Sequence, residues 1–165
     1  MAYIIRPFLR QDADELANLT VAAIQSVGVK SYTAAQVAAW AARHPGPQRF
    51  LDRAAGGDHI IVAADASDYP IAYTLIEPDG HVDMLYCHPD HTRKGVADEL
   101  LAAAEQYARS VKAETLFTEA SELARPAFER AGYTVIKRRD FDIPYKGKAI
   151  GIHNYAMEKP IIQKA

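Results

Sequence analysis

Apolar residues along this chain recur at two periods, and the switches between them mark its elements. "YIIRPFL" (Tyr3 to Leu9) reads as a short β-rich strand, and Asp12 followed by Glu15 has the spacing of a capping box that opens a helix. Leu16, Leu19, Ala23, Ile24 and Val27 then share one helical stripe. A second helix is predicted where Thr33 and Gln36 repeat the capping-box spacing; Val37, Trp40 and Ala41 share its face and Pro45 stops it. The period next falls to two. "HIIVAAD" and "IAYTLIE", joined by the turn-rich "ASDYP", form an antiparallel pair, and "HVDMLYCH" beyond the Pro78-Asp79-Gly80 turn extends it to a meander.

Helical spacing returns at Lys94, where Val96, Leu100, Ala104, Tyr107 and Ala108 define an amphipathic helix reaching to about Val111. "ETLFTEA" is a strand, "ELARPAFERA" a short helix ended by Gly132, and "YTVIKRRDFDI" with "AIGIHNYAMEKPI" a terminal strand pair. Pro126 fits that helix only if it starts late enough to put the proline in its first turn. The order is β-α-α-β-β-β-α-β-α-β-β without repeat or linker: one mixed α/β domain over residues 1–165.

The stretch "HPDHTRKGVADELL" carries the first chemical question. Gly95 stands between two basic residues and the start of a helix, where unpaired backbone N–H groups and the positive helix end attract phosphate. Neither G-x-G-x-x-G nor a Gly-Lys-Ser/Thr sequence is present, so the common nucleotide signatures do not explain it. A net charge of −2 gives no general pull toward nucleic acid, and the run Lys137 to Arg139 is answered by Asp140 and Asp142. One cysteine, Cys87, excludes an internal disulfide and a Cys-rich metal site. Arg6 and Arg10 precede any signal-length apolar run and no uncharged stretch approaches membrane-spanning length, so the expected place is the cytoplasm, away from membranes.

With "LYCHPDHTRKGVADELL" and "FERAGY" in place, the whole chain resembles the GNAT superfamily of N-acetyltransferases. "HNYAMEKPI" and "YTAAQVAAW" are further similar to a poorly assigned bacterial subgroup of it. The resemblance implies an α/β (α+β) fold, a mixed, mostly antiparallel sheet flanked by helices, with acetyl-CoA as cosubstrate, an amine as acceptor and no metal. It places the coenzyme pyrophosphate on the loop and helix start formed by Arg93, Lys94, Gly95, Val96, Ala97 and Asp98. The pantetheine arm would lie along Leu85, Tyr86 and Cys87, with a backbone N–H there facing the thioester oxygen. Two positions depart from the family. Thr92 replaces the usual Gln or Arg of the loop, and Phe128 stands where relatives often carry a tyrosine that protonates the departing thiolate. Tyr86, Tyr133, Tyr145 and Tyr155 are substitutes by residue type alone.

Alternation puts His81, Asp83, Leu85 and Cys87 on one face of the fourth strand and Val82, Met84, Tyr86 and His88 on the other. His81 and Asp83 are thus neighbours at the position of the family's catalytic base. His81 titrates near neutrality if unperturbed, Asp83 holds its tautomer or raises its pKa, and Glu77 is a reserve base. Cys87 reads as a buried strand residue rather than an acetyl carrier. Tyr32, Trp40 and Tyr145 lie where an acceptor would enter, although Trp40 reads as core. The expected activity is direct transfer to a primary amine, with an acyl-CoA-binding module that has lost the chemistry as the alternative suggested by Phe128. Acceptor, acyl length and the choice between monomer and homodimer are open at this level.

Overall fold

A computed structural model describes residues 2–44 and 46–162. Its seven strands are β1 (Tyr3–Pro7), β2 (His59–Asp65), β3 (Pro70–Ile76), β4 (His81–Cys87), β5 (Thr115–Ala120), β6 (Thr134–Tyr145) and β7 (Lys148–Pro160). They form one sheet in the order β1-β2-β3-β4-β5-β7-β6, and every neighbouring pair is antiparallel except β4 with β5. The helices are α1 (Ala13–Val27), α2 (Ala34–Ala41), α3 (Gln48–Ala55), α4 (Val96–Ser110) and α5 (Arg125–Arg130). No described helix is long and apolar enough to cross a membrane. This is the mixed, mostly antiparallel sheet with flanking helices that the resemblance implies, with one helix more than the pattern predicts: α3 hides in "PQRFLDRAAGG", between a proline and a glycine pair.

Capping chemistry explains two helix starts differently. Thr33 and Gln36 do form the capping box: Gln36 N–H donates to Thr33 Oγ1 at 3.1 Å and Thr33 N–H to Gln36 Oε1 at 2.8 Å. Asp12 does not cap toward Glu15. Its carboxylate turns back to accept Leu9 N–H at 2.7 Å and the Arg6 guanidinium at 2.8 and 3.0 Å, so a 3₁₀ turn precedes α1. The stop assigned to Pro45 lies outside the described residues; α2 ends at Ala41. Pro126 sits in the first turn of α5, and Gly132 follows that helix with φ +98°, a left-handed conformation suited to glycine.

Apolar side chains fill both faces of the sheet. On one, Val96, Leu100, Leu101, Ala104 and Phe128 from α4 and α5 meet Ile61, Ile76, Val82 and Leu116. On the other, Leu16, Leu19 and Phe50 from α1 and α3 meet Ile60, Val62, Leu75 and Met84. A third cluster joins α1 and α2 to the β6–β7 hairpin through Ile24, Tyr32, Val37, Ile143 and Ile152.

Val82 and Met84 belong to opposite faces although they are two residues apart. Leu75 pairs with Met84 and Ile76 with Val82, so Asp83 is an extra residue, a β-bulge. This corrects the uniform alternation expected along β4. His81 and Asp83 lie on the α1 and α3 side with Met84 and Tyr86, whereas Leu85 and Cys87 pack toward α4 with Val82.

Candidate active site

The sheet opens where β4 and β5 part. They pair only at His81 with Phe117 and Val82 with Thr118, and the Thr118 hydroxyl closes the junction by donating to Val82 O at 2.7 Å. Beyond it, the far edge of β4 has no strand beside it. Antiparallel pairing alternates, and His88 N–H donates to Ile71 O at 2.8 Å. The amides of Met84 and Tyr86 therefore point to β3, and those of Leu85 and Cys87 point to the open edge. Tyr86, grouped with its neighbours in the sequence, offers the site its side chain instead.

This edge runs toward the N-terminus of α4. The chain turns there through two left-handed residues, Arg93 (φ +61°) and Gly95 (φ +80°). Glu99 N–H makes the bond to Gly95 O that starts the helix, which leaves the N–H groups of Val96, Ala97 and Asp98 without intrahelical acceptors. A side chain at Gly95 would meet no protein atom within 4 Å, so the space before these amides is open. Arg93 and Lys94 add charge beside it, and Val96 is fully packed beneath.

A cleft of about 390 Å³ occupies the other side of the junction. Asp83, Leu85, Tyr86 and Phe128 line it; His81, Cys87 and the loop residues 93–98 do not. Tyr32 and Trp40 also line it, while Tyr145 does not. Trp40 both packs on the third core and reaches the cleft, where its Nε1–H donates to the Tyr86 hydroxyl at 3.2 Å. The walls include residues that the sequence pattern did not single out: His44, Arg49, Glu119 and His153 among them. Glu119 was discoverable, since it ends the same predicted strand as Thr118. Arg49 lay in the unread α3.

At the junction, side chains form a charged chain. His81 is held by Glu77 Oε1 at 2.6 Å on Nδ1 and by Glu119 Oε1 at 2.8 Å on Nε2, and its ring stacks on Phe117. The hydrogen bond to Glu119 foremost, helped by Glu77 and opposed by burial, pushes its pKa up to about 9. His81 is thus perturbed, a cation at pH 7 with both nitrogens engaged. Of the two roles expected of Asp83, it does not hold the tautomer, but its charge does help raise the His81 pKa; its carboxylate accepts Arg53 Nη1 at 2.8 Å, and Arg53 reaches Glu77 at 3.5 Å. Glu77, His81 and Asp83 present ligand atoms within 4.8 Å of one another, but Arg53 and the imidazolium already use them.

Burial sets the remaining groups. It lowers His44 to about 4, reinforced by Arg49 and Arg43, and raises the Tyr86 phenol to about 12. It lifts the Cys87 thiol to about 11, so this sulfur stays protonated and donates to His91 O at 3.3 Å. Glu122 Oε2 accepts both His153 Nε2 at 2.7 Å and Tyr155 O–H at 2.9 Å. Phe128 is buried edge-on against Tyr133, whose hydroxyl has no partner among the described residues.

A family model described as an acetyltransferase (GNAT) domain matches residues 29–143. The chain belongs to the GNAT acetyltransferase family. This GNAT domain is 27% identical over 136 residues to the uncharacterized N-acetyltransferase YafP of Escherichia coli K12, covering 82% of this chain and 83% of that one. A GCN5-related N-acetyltransferase from Rhodopseudomonas palustris superposes with TM-score 0.84 at 28% identity, covering 98% of this chain and 97% of its own. The PaiA N-acetyltransferase of Thermoplasma acidophilum, solved with coenzyme A, shares the fold at TM-score 0.76 and 16% identity, covering 97% and 99%.

Proposed function

We propose that this GNAT domain transfers acetyl from acetyl-CoA to a primary amine by direct attack in a ternary complex. The observation that carries the reading is the open edge of β4, which connects the cleft to the unpaired N–H groups of α4. A pantetheine arm adds to such an edge as a further strand, bonded by Leu85 and Cys87. The pyrophosphate takes the N–H groups of Val96, Ala97 and Asp98, with Arg93 and Lys94 supplying charge and Gly95 leaving room. Phe128 supplies an apolar wall.

The amine nitrogen attacks the thioester carbonyl carbon, its oxygen gains charge beside the Leu85 N–H, and the C–S bond breaks as the intermediate collapses, the proton still surplus on nitrogen passing to the departing thiolate. Asp83 and Glu119 receive the incoming ammonium and pass its proton to water before attack. His81 is a positioning residue that fixes Glu119. A departing thiol of ordinary pKa, roughly 8.5, leaves without a dedicated acid, so phenylalanine at position 128 is compatible with turnover. The Cys87 thiol, protonated and packed toward α4, takes no acetyl. Acetyl-CoA as substrate and a lone free thiol suit the cytoplasm.

Titration of thermal stability with acetyl-CoA, CoA and ATP tests the reading without an acceptor. Saturable stabilisation by both coenzymes and little by ATP is expected, followed by CoA release when amines are added. No stabilisation by either coenzyme at millimolar ligand, or an acetylated protein mass at Cys87, would overturn it.

A further inference from the structure

The cleft carries an unbalanced charge. Arg43, Arg49 and Arg139 line it, and none has an ion pair among the described residues. Each acid on the same walls is balanced by one cation through one oxygen, Asp83 Oδ2 by Arg53 and Glu119 Oε1 by His81, and its other oxygen can still accept an N–H donor. Six other arginines of the chain do hold carboxylates: Arg6, Arg53, Arg109, Arg125, Arg130 and Arg138.

The cleft arginines are nevertheless oriented. Arg49 Nη1 donates to Arg43 O at 3.1 Å and lies 3.4 Å from His44 Nδ1. Across the cleft, Arg139 Nη1 donates to Asn154 Oδ1 at 3.2 Å, with its guanidinium 5.4 Å from the centre of the Phe141 ring. Neutral partners hold both forks and leave their charge uncompensated. A planar guanidinium in that state is a ready receptor for a carboxylate. Loop residues 93–98 lie outside this cleft, so the phosphates assigned to them do not account for these arginines.

We infer that the acceptor is a small aminocarboxylate, such as a free amino acid, whose ammonium meets Asp83 and Glu119 while its carboxylate is read by Arg49 and Arg139. The inference rests on the acetyl-transfer reading above and names its substrate class. The net positive charge of the arginines favours a carboxylate-bearing acceptor and repels polycationic ones such as polyamines.

The test compares CoA release with common amino acids, each set against its own carboxamide and decarboxylated amine, and with spermidine. At least a tenfold higher kcat/KM for the carboxylates is expected. Arg49→Ala and Arg139→Ala should each reduce that acid-to-amide ratio about tenfold through KM, with Arg49→Lys restoring part of it. Stabilisation by acetyl-CoA should persist in every variant, which shows that each remains folded. Equal rates for acids and amides, faster transfer to spermidine, or a ratio that survives both alanine variants would overturn the inference and leave acetyl transfer standing. Absence of transfer to any amine overturns the transfer reading itself.

Discussion

The two halves of the site are built from different materials. On the side proposed for the coenzyme, the groups offered are main-chain: amides of Leu85 and Cys87 along β4, and amides of Val96 to Asp98 at α4. On the acceptor side, the groups are side chains drawn from α2, α3, β4, β5, β6 and the loops between them, nearly all tied into ion pairs or hydrogen bonds. Main-chain groups keep their positions under most substitutions, because only backbone conformation moves them. The acceptor wall changes its chemistry with every residue exchanged. On the proposed reading, one framework holds a constant donor while leaving its acceptor open to change.

That contrast is broken most severely by Gly95→Val. A β-branched residue at φ +80° is strained, and its side chain enters the space before the α4 amides. Coenzyme-induced stabilisation should disappear in a thermal titration, a loss of a thousandfold or more in affinity, and retention of full affinity would remove the loop from the coenzyme site.

Asp83→Asn probes the other half. It removes the charge assigned above to the incoming ammonium but leaves Arg53 with Asp58 and Glu77. Turnover should fall by about 100-fold while stabilisation by acetyl-CoA is kept, the signature of a group that serves the acceptor and not the coenzyme. An unchanged kcat would exclude the carboxylate from proton handling.

The smallest effect sharpens the comparison through pH. The folded-state pKa of His81, about 9, lies above its unfolded value near 6.5, so its contribution to stability is complete below pH 6.5 and lost as pH rises through 9. After discounting for solvent screening, the loss should be about 2 kcal/mol between pH 6 and 10. Urea unfolding at both pH values measures it, and His81→Gln should flatten the difference. A wild-type curve as flat as the variant's would dissolve the proposed carboxylate–imidazolium chain.

Legibility in the sequence follows the same division. The coenzyme half depends on local signals: a strand, a glycine, basic neighbours and a helical stripe within about twenty residues, all of which survive in "LYCHPDHTRKGVADELL". Phe128 was visible for the same reason. The acceptor half depends on distant segments. Arg49 was hidden because the eight residues of α3 lie between turn formers, too short a span for periodicity to speak. Asp12 has the right spacing for one cap, but Arg6 arrives from β1 to claim it. His81 has an unremarkable sequence neighbourhood; Glu119, thirty-eight positions away, decides its charge. In "HVDMLYC" only Val82, Asp83 and Met84 alternate, and the apolar run from Met84 to Cys87 suits either face, so nothing in it reveals the bulge at Asp83.

That bulge makes Asp83 a residue that the packing of β4 does not need. Val82 and Met84 pair with the adjacent Ile76 and Leu75, so they already take the opposite sides that neighbours in a regular strand would take. Deleting Asp83 would restore strict alternation and leave Val82 on the α4 side and Met84 and Tyr86 on the α1 side, whereas deleting Val82 or Met84 would carry the carboxylate into one core or the other. The carboxylate is surplus to the strand, and a chain shortened by that one residue keeps both cores while Arg53 loses a partner.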